Sequence, residues 1–192
     1  MKIKFIKPSN AKNYFVIGVE KDGATEILTV SEAQYSSLGS PAVKDEIDEQ
    51  LFARLSGYGE YNKAMKKALN ILSFGDNSTK TLKMKLIRGG IKAELAGEIS
   101  KEMLRLGYIN ERRQLETLIE REVNEGLSGP RKIIPKLIGK GYAADEIKTV
   151  FKMLVERGDI NLDATKRKLI EKKLGSPRND GEIKKILYKH GF

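Results

Sequence analysis

The sequence contains no cysteine and a single histidine among its 192 residues, and it has no long apolar run. Without cysteine, the chain has no disulfide, no thiolate zinc site and no cysteine nucleophile. Its apolar stretches are far shorter than the roughly 18 residues that a membrane-spanning helix needs. Lysines also interrupt the apolar segment at the start of the chain, unlike the core of a signal peptide. We therefore expect a cytoplasmic protein with no membrane partner.

Residues that could carry catalysis are scarce. The one histidine, His190, lies beside the end of the chain, and no serine or carboxylate is placed as its partner. A lone histidine among lysines is more often a surface residue than a catalyst. The glycine-rich segments 57–59 and 139–141 do not continue into the Gly-Lys-Ser/Thr pattern of a phosphate loop. No residues have the spacing of metal ligands. The sequence therefore predicts no enzyme, no catalytic residue, no metal site and no cofactor.

Positive charge is plentiful but unevenly distributed. The formal net charge is +10 and the sequence pI is near 9.6. Residues 1–60 contain 7 Lys and Arg against 9 Asp and Glu, whereas residues 61–192 contain 29 against 17. A basic balance can simply keep a protein soluble. The asymmetry, however, favours a nucleic-acid partner for the later part of the chain.

Three segments of the chain repeat one another. They begin at Leu86, Leu137 and Leu187, and each has a glycine four residues later that is followed by a large apolar residue. The three leucines are 51 and 50 residues apart. Such a period is typical of tandem arrays, in which each unit is too small to bury a core alone and stacks on its neighbours.

The apolar pattern differs between the first third and the remainder. Residues 14–19 and 26–30 are β-rich, Asp22-Gly23 between them is a hairpin signal, and residues 2–7 can add a third strand. A helix is expected over 43–56, and the glycines at 57 and 59 indicate a joint. From about residue 61 the period is helical, with three helices in each complete unit.

These patterns predict a mainly α fold. Tandem three-helix repeats form an elongated curved array, and a small β-hairpin and helix extension precedes them. The predicted divisions are residues 1–60 for the extension, 61–109 and 110–158 for the two complete repeats, and 159–192 for an incomplete third repeat that lacks its last helix.

The middle helix of each repeat is the basic one, and residues 78–92 and 128–141 contain no acid at all. If equivalent helices lie side by side, their charges merge into one electropositive stripe that suits phosphates or the acidic walls of a protein–DNA filament. A solvated helix face is the simpler interpretation of any one copy, but three aligned copies favour a binding surface. The candidate DNA- or filament-binding residues are Lys80, Lys83, Lys85, Arg88, Arg131, Lys132, Lys136, Lys140, Arg178, Lys184, Lys185 and Lys189.

Aromatic residues lie close to the basic segments. Tyr142, Tyr188 and Phe192 follow or end the middle helices, and each could stack on an unpaired base. Such side chains more often pack between helices, so the sequence leaves both interpretations open.

Several motifs in residues 61–192 occur together in one known family. They are Ala68-Leu69 followed by Leu72-Ser73, the spacing of Leu82, Leu86 and Gly90-Ile91, the block 106–111, and Gly126 with the segment 130–133. In this order they resemble the RecX family of bacterial recombination regulators. Two departures are the pair Gln114-Leu115, where the family pattern has an aromatic residue with a small neighbour, and the missing last helix.

The resemblance implies a negative regulator of homologous recombination, with a place in DNA repair and the SOS response. Members of this family bind the RecA recombinase, lie in the groove of the RecA–single-stranded-DNA filament, and block strand exchange and ATP turnover. The expected partners are therefore the RecA filament and single-stranded DNA, bound directly or within the filament. The alternative is a general nucleic-acid-binding helical repeat protein without a recombinase partner. The sequence leaves the oligomeric state open.

Overall fold

The computed structural model describes residues 1–174 and 179–192 and divides into two compact units. The first unit comprises Met1–Phe74 with Lys85–Ile99, and the second comprises Gly75–Met84 with Ser100–Phe192. The described residues form nine helices and a three-stranded sheet at the N-terminus. The prediction of a mainly α fold with a small β-rich extension is therefore confirmed. Within the described ranges, no helix is both long enough and apolar enough to cross a bilayer.

An antiparallel sheet opens the first unit. Its strands are β1 (Lys2–Pro8), β2 (Tyr14–Lys21) and β3 (Ala24–Ser31), in the order β1-β2-β3. Asp22 and Gly23 have φ angles of 52° and 80° in the two-residue turn between β2 and β3. Positive φ at both central positions gives the turn a twist that matches the flanking strands. The predicted hairpin and the predicted third strand are thus both present.

Two helices follow the sheet. The short helix α1 (Glu32–Ser36) begins with the capping box that Ser31 and Gln34 form. The next helix, α2, runs without interruption over Glu49–Ser73. The helix predicted over 43–56 is therefore present from residue 49 onward, whereas its predicted start and the joint predicted at 57–59 were wrong. The division predicted after residue 60 lies inside α2. The other predicted divisions stay predictions.

Close packing between α2 and β3 explains Gly59, which the sequence suggested was part of a joint. A Cβ atom placed on Gly59 would lie 2.9 Å from Leu28 Cδ2 and 3.3 Å from Leu28 Cβ, so the missing side chain lets α2 approach β3. Gly57, two residues earlier on the same helix, has nothing within 4 Å of such an atom. The buried residues of this layer are Ile3, Ile17, Val19, Leu28, Val30, Leu38, Ile47, Phe52 and Leu55.

This difference predicts opposite outcomes for one substitution at two nearby positions. Gly59→Val should lower the free energy of unfolding by about 1–3 kcal/mol, because overpacking forces α2 away from β3. Gly57→Val should be close to neutral, because valine is no worse than glycine in an exposed helix. Urea denaturation of both variants measures this, and equal stabilities would show that Gly59 does not set the spacing between helix and sheet.

Seven further helices follow in the described residues, and the C-terminal half of α2 takes the place of the first helix of the first repeat. The seven helices are α3 (Thr79–Arg88), α4 (Ala93–Arg105), α5 (Glu111–Asn124), α6 (Pro130–Gly139), α7 (Ala144–Arg157), α8 (Leu162–Leu174) and α9 (Asp180–Lys189). The middle helices of the three repeats are α3, α6 and α9. Each is followed by a glycine with positive φ, at Gly90, Gly141 and Gly191. Because glycine tolerates this left-handed conformation, it ends the helix and reverses the chain at equivalent places.

The second unit has its own apolar core between the helices of the second repeat. Residues 51 positions after apolar residues of the first repeat are buried, for example Ile119, Val123 and Leu154. Helix α5 packs on α7 and α8, and α6 packs on α7. The buried cluster comprises Leu115, Ile119, Val123, Ile133, Leu137, Tyr142, Ile147, Val150, Phe151, Leu154 and Ile160.

Candidate functional site

The middle helices carry the predicted basic residues on their exposed surfaces. Of the twelve candidates, Arg178 lies outside the described residues. The other eleven are all exposed: Lys80, Lys83, Lys85 and Arg88 on α3, Arg131, Lys132, Lys136 and Lys140 on or directly after α6, and Lys184, Lys185 and Lys189 on α9. Lys85 and Arg88 belong to the first unit, and the remaining nine belong to the second.

The C-terminal end of α6 contacts the N-terminal turn of α3. Ser78 Oγ and Thr81 Oγ1 donate hydrogen bonds to the carbonyl oxygen of Lys140, at 2.9 Å and 2.8 Å. A Cβ atom on Gly141 would lie 2.7 Å from Ser78 Oγ and 3.1 Å from Lys80 Cβ. Glycine is therefore needed at this junction for packing as well as for its positive φ.

An equivalent junction joins α9 to α6. The backbone N–H of Gly129 donates to the carbonyl oxygen of His190 at 2.8 Å, and the N–H of Arg131 donates to that of Gly191 at 3.1 Å. A Cβ atom on Gly129 would lie 2.3 Å from the Gly191 carbonyl oxygen, and one on Gly191 would lie 2.6 Å from Lys132 Cβ. Residues 78 and 129 are related by the 51-residue shift, so both junctions use the same part of the repeat.

The two junctions correct the expected arrangement of the middle helices. Among the described residues of the second unit, these helices meet at their ends and do not pack side by side as we expected. Lys80 and Lys140 lie at the first junction, and Lys132 and Lys189 flank the second. To pack side by side, the middle helices would need apolar residues on the faces that touch. Because they contact each other only at their ends, their basic sides stay exposed.

Most of these cations have no acidic partner. Lys136 is the exception, because its ammonium nitrogen lies 2.6 Å from Glu122 Oε1. None of the other ten forms an ion pair with an acid among residues 1–174 and 179–192. Their charge is therefore available to an external anion, and Lys136 contributes less than its neighbours.

His190 differs from the surface residue that the sequence suggested. It ends α9 and is only partly exposed, because it lies at the junction with α6. Burial, together with the ammonium group of Lys132, lowers the pKa of its imidazole below the ordinary value. Within the described residues, no group of His, Asp and Glu side chains is arranged to hold a metal ion.

Two buried polar side chains form a pair next to the first junction. Tyr142 is 6% exposed, so it cannot stack on a base, and that interpretation was wrong for this residue. Its hydroxyl donates to Gln114 Oε1 at 2.8 Å. Burial, helped by the carboxylates of Glu111 and Asp76, raises the pKa of Tyr142 to about 12, so the phenol stays protonated at neutral pH. Gln114 was missed as a partner, although its place at a departure from the family pattern was a usable signal.

The other two aromatic candidates have different environments. Tyr188 on α9 is 76% exposed. Phe192 is half-buried, and the ammonium group of Lys166 lies 5.9 Å from the centre of its ring. Tyr188 is therefore the aromatic candidate that remains accessible to a partner.

Known proteins resemble this chain over most of its length. No protein-family model matches it. Regulatory protein RecX of Listeria monocytogenes serotype 4a is 29% identical over 125 residues, which are 65% of this chain and 45% of that protein. Regulatory protein RecX of Caldanaerobacter subterraneus subsp. tengcongensis is 26% identical over 147 residues, which are 77% of this chain and 73% of that protein.

Solved structures share the fold. A crystal structure of regulatory protein RecX matches with a TM-score of 0.74 and 20% identity, over 100% of this chain and 94% of its own. RecX from Lactobacillus salivarius matches with a TM-score of 0.57 and 24% identity, over 69% of this chain and 88% of its own. The chain is therefore similar to RecX proteins in sequence and shares their fold. It spans about 45% of the length of the Listeria RecX relatives.

Proposed function

We propose that this chain is a member of the RecX family and a cytoplasmic negative regulator of homologous recombination. It binds the groove of the RecA–single-stranded-DNA filament and inhibits strand exchange and ATP turnover. The observation that carries the proposal is the pair of equivalent end-to-end junctions, which connect exposed and mostly unpaired cations of successive repeats within the second unit. A filament presents phosphates and protein subunits at a regular interval, and a repeated cationic surface suits such a partner.

Binding, rather than catalysis, is the proposed mode of action. The curated relatives are named regulatory proteins. In the described part of the chain, the one histidine is directed into a helix junction and has a lowered pKa. The protein would act by occupying the groove, where many weak charged contacts add through their effective concentration.

The direct experiment is a RecA ATPase assay on preformed filaments into which the protein is titrated. We expect ATP turnover to fall as the protein is added, and the affinity for the filament to exceed that for bare single-stranded DNA or for RecA alone. Binding should also weaken with salt, with a log–log slope of about −0.7 for each phosphate neutralised on a single strand.

Two results would contradict the proposal. Unchanged ATP turnover at a concentration that saturates the filament would show that the protein does not inhibit it. Equally tight binding to the filament and to bare single-stranded DNA would favour the alternative of a general nucleic-acid-binding repeat protein.

A further inference from the structure

A polar groove in the second unit lies outside the basic residues considered so far, except for Lys140. Two adjoining recesses of about 500 Å³ and about 470 Å³ share Asp76, Gln114 and Thr117 in their walls. We call them together the α5 groove. Its walls come from the start of α3, one side of α5, the end of α6 and the turn before α5.

Cations line the groove along α5. Arg113, Thr117 and Arg121 recur at intervals of four residues, so they lie on one side of the helix. The two arginines are eight residues apart, which is roughly 12 Å along the axis. Both are exposed, and neither forms an ion pair with an acid among the described residues. Lys140 adds a third cation, and Asp76 is the one carboxylate in the described walls.

The floor of the groove is polar and internally hydrogen-bonded. Gln114 and Asn77 are 7% and 6% exposed, and both line the groove. Gln114 accepts from the hydroxyl of Tyr142 at 2.8 Å and donates to the carbonyl oxygen of Asn77 at 3.4 Å. Asn77 donates from its amide to the carbonyl oxygen of Gly75 at 2.7 Å. These bonds hold the floor in one geometry, and its polarity argues against an apolar ligand.

An exposed aromatic side chain lies at the mouth. Tyr108 is 57% exposed and lines the second recess with Asn110 and Arg113. A nucleotide needs a flat apolar surface for its base, hydrogen-bonding groups for the base edge and cations for its phosphate. The groove offers an aromatic ring, hydrogen-bonding groups and cations. An acidic peptide would contact the cations but would not need the exposed aromatic ring.

We propose that the α5 groove binds single-stranded nucleic acid, with a base stacked on Tyr108 and the phosphodiester backbone contacted by Arg113, Arg121 and Lys140. Single-stranded DNA is already an expected partner of this chain, and the new element is a specific site for it that does not depend on binding in the filament groove. It is a second binding surface of the same unit, and the residues that define it, Tyr108, Arg113 and Arg121, are not among those of the middle helices.

The test measures binding of the full chain to a fluorescent oligothymidylate in the absence of any recombinase. Tyr108→Ala should weaken binding roughly fivefold to 150-fold, as expected for the loss of one stacked base. Tyr108→Phe should keep the affinity within about twofold, because the ring is retained. Arg113→Ala and Arg121→Ala should each make the log–log salt slope shallower by about 0.7.

Arg112→Ala is the matched control. The substitution removes the same charge as Arg113→Ala, one residue earlier on α5. The guanidinium of Arg112, however, contacts Glu116 and Met153, and Arg112 does not line the groove. The affinity and salt slope of this variant should stay close to those of the parent, and all variants should keep the parent's circular dichroism and melting temperature. An equal loss in Arg112→Ala, or an unchanged affinity in Tyr108→Ala, overturns the proposal.

The outcome is separable from that of the proposed function. If Tyr108→Ala binds the oligonucleotide as the parent does but binds the filament less well, the groove faces the recombinase, so the groove proposal fails and the proposed function stands. If the groove variants lose the oligonucleotide while the parent leaves filament ATP turnover unchanged, the groove proposal stands and the proposed function fails.

Discussion

Reversing Lys80, Arg131 and Lys184 together to glutamate should abolish inhibition of the RecA filament. These three residues represent the middle helices of the three repeats, and each is exposed without an acidic partner among the described residues. If each makes one charged contact worth about 1.5 kcal/mol, losing all three lowers the affinity roughly a thousandfold. Repulsion from the introduced carboxylates adds to this loss. The measurement is filament ATP turnover with the variant titrated in, alongside direct filament binding.

The fold should survive these changes, because the side chains are exposed and glutamate is as good a helix former as lysine or arginine. The control is the triple reversal of Lys101, Lys148 and Lys152, which lie exposed on α4 and α7 and change the net charge equally. This control should inhibit nearly as well as the parent. If both triple variants lose inhibition to the same degree, total charge rather than the middle helices determines binding.

Gly129→Ala should separate α9 from α6 and lower the free energy of unfolding by about 3–5 kcal/mol. The new methyl group would lie 2.3 Å from the carbonyl oxygen of Gly191, which is a backbone atom and cannot rotate away. Overpacking of this kind costs about 1–3 kcal/mol. The displaced backbone also loses the hydrogen bonds from Gly129 and Arg131 to the end of α9, each worth about 1 kcal/mol.

Urea denaturation and amide hydrogen exchange at Arg131 measure this effect. The matched control is Gly139→Ala on the last residue of the same helix, where nothing lies within 4 Å of the new methyl group. That variant should be neutral or more stable by up to about 1 kcal/mol, because alanine restricts the unfolded chain. Equal stability of the two variants would show that the junction does not support α9.

Local signals in the sequence predicted the local structure well. Asp22-Gly23 predicted the hairpin, and the period of about 51 residues predicted the equivalent middle helices α3, α6 and α9. Each depends on a few neighbouring residues or on a simple period. The long helix α2 escaped prediction because its two glycines indicate flexibility in isolation, while the contact that explains Gly59 comes from Leu28, 31 residues earlier.

The arrangement of the basic residues depended on contacts that no period reveals. The 51-residue shift shows that Lys80 and Arg131 occupy the same position in their repeats. It does not reveal how the middle helix of one repeat contacts that of the next. That relation is determined by Gly129, Gly141 and Gly191, where absent side chains admit another helix end. The α5 groove likewise combines residues from three separate stretches of chain, so Tyr108 and Lys140 carry no joint signal in the sequence.

The end-to-end junctions also have an electrical consequence. A helix carries a partial negative charge of about half an elementary charge at its C-terminal end and a matching positive charge at its N-terminal end. Where α9 meets α6, and where α6 meets α3, these opposite poles face each other and cancel. Lys140 and Lys189, which in an isolated helix would neutralise the terminal carbonyl groups, therefore keep their full attraction for an anionic partner.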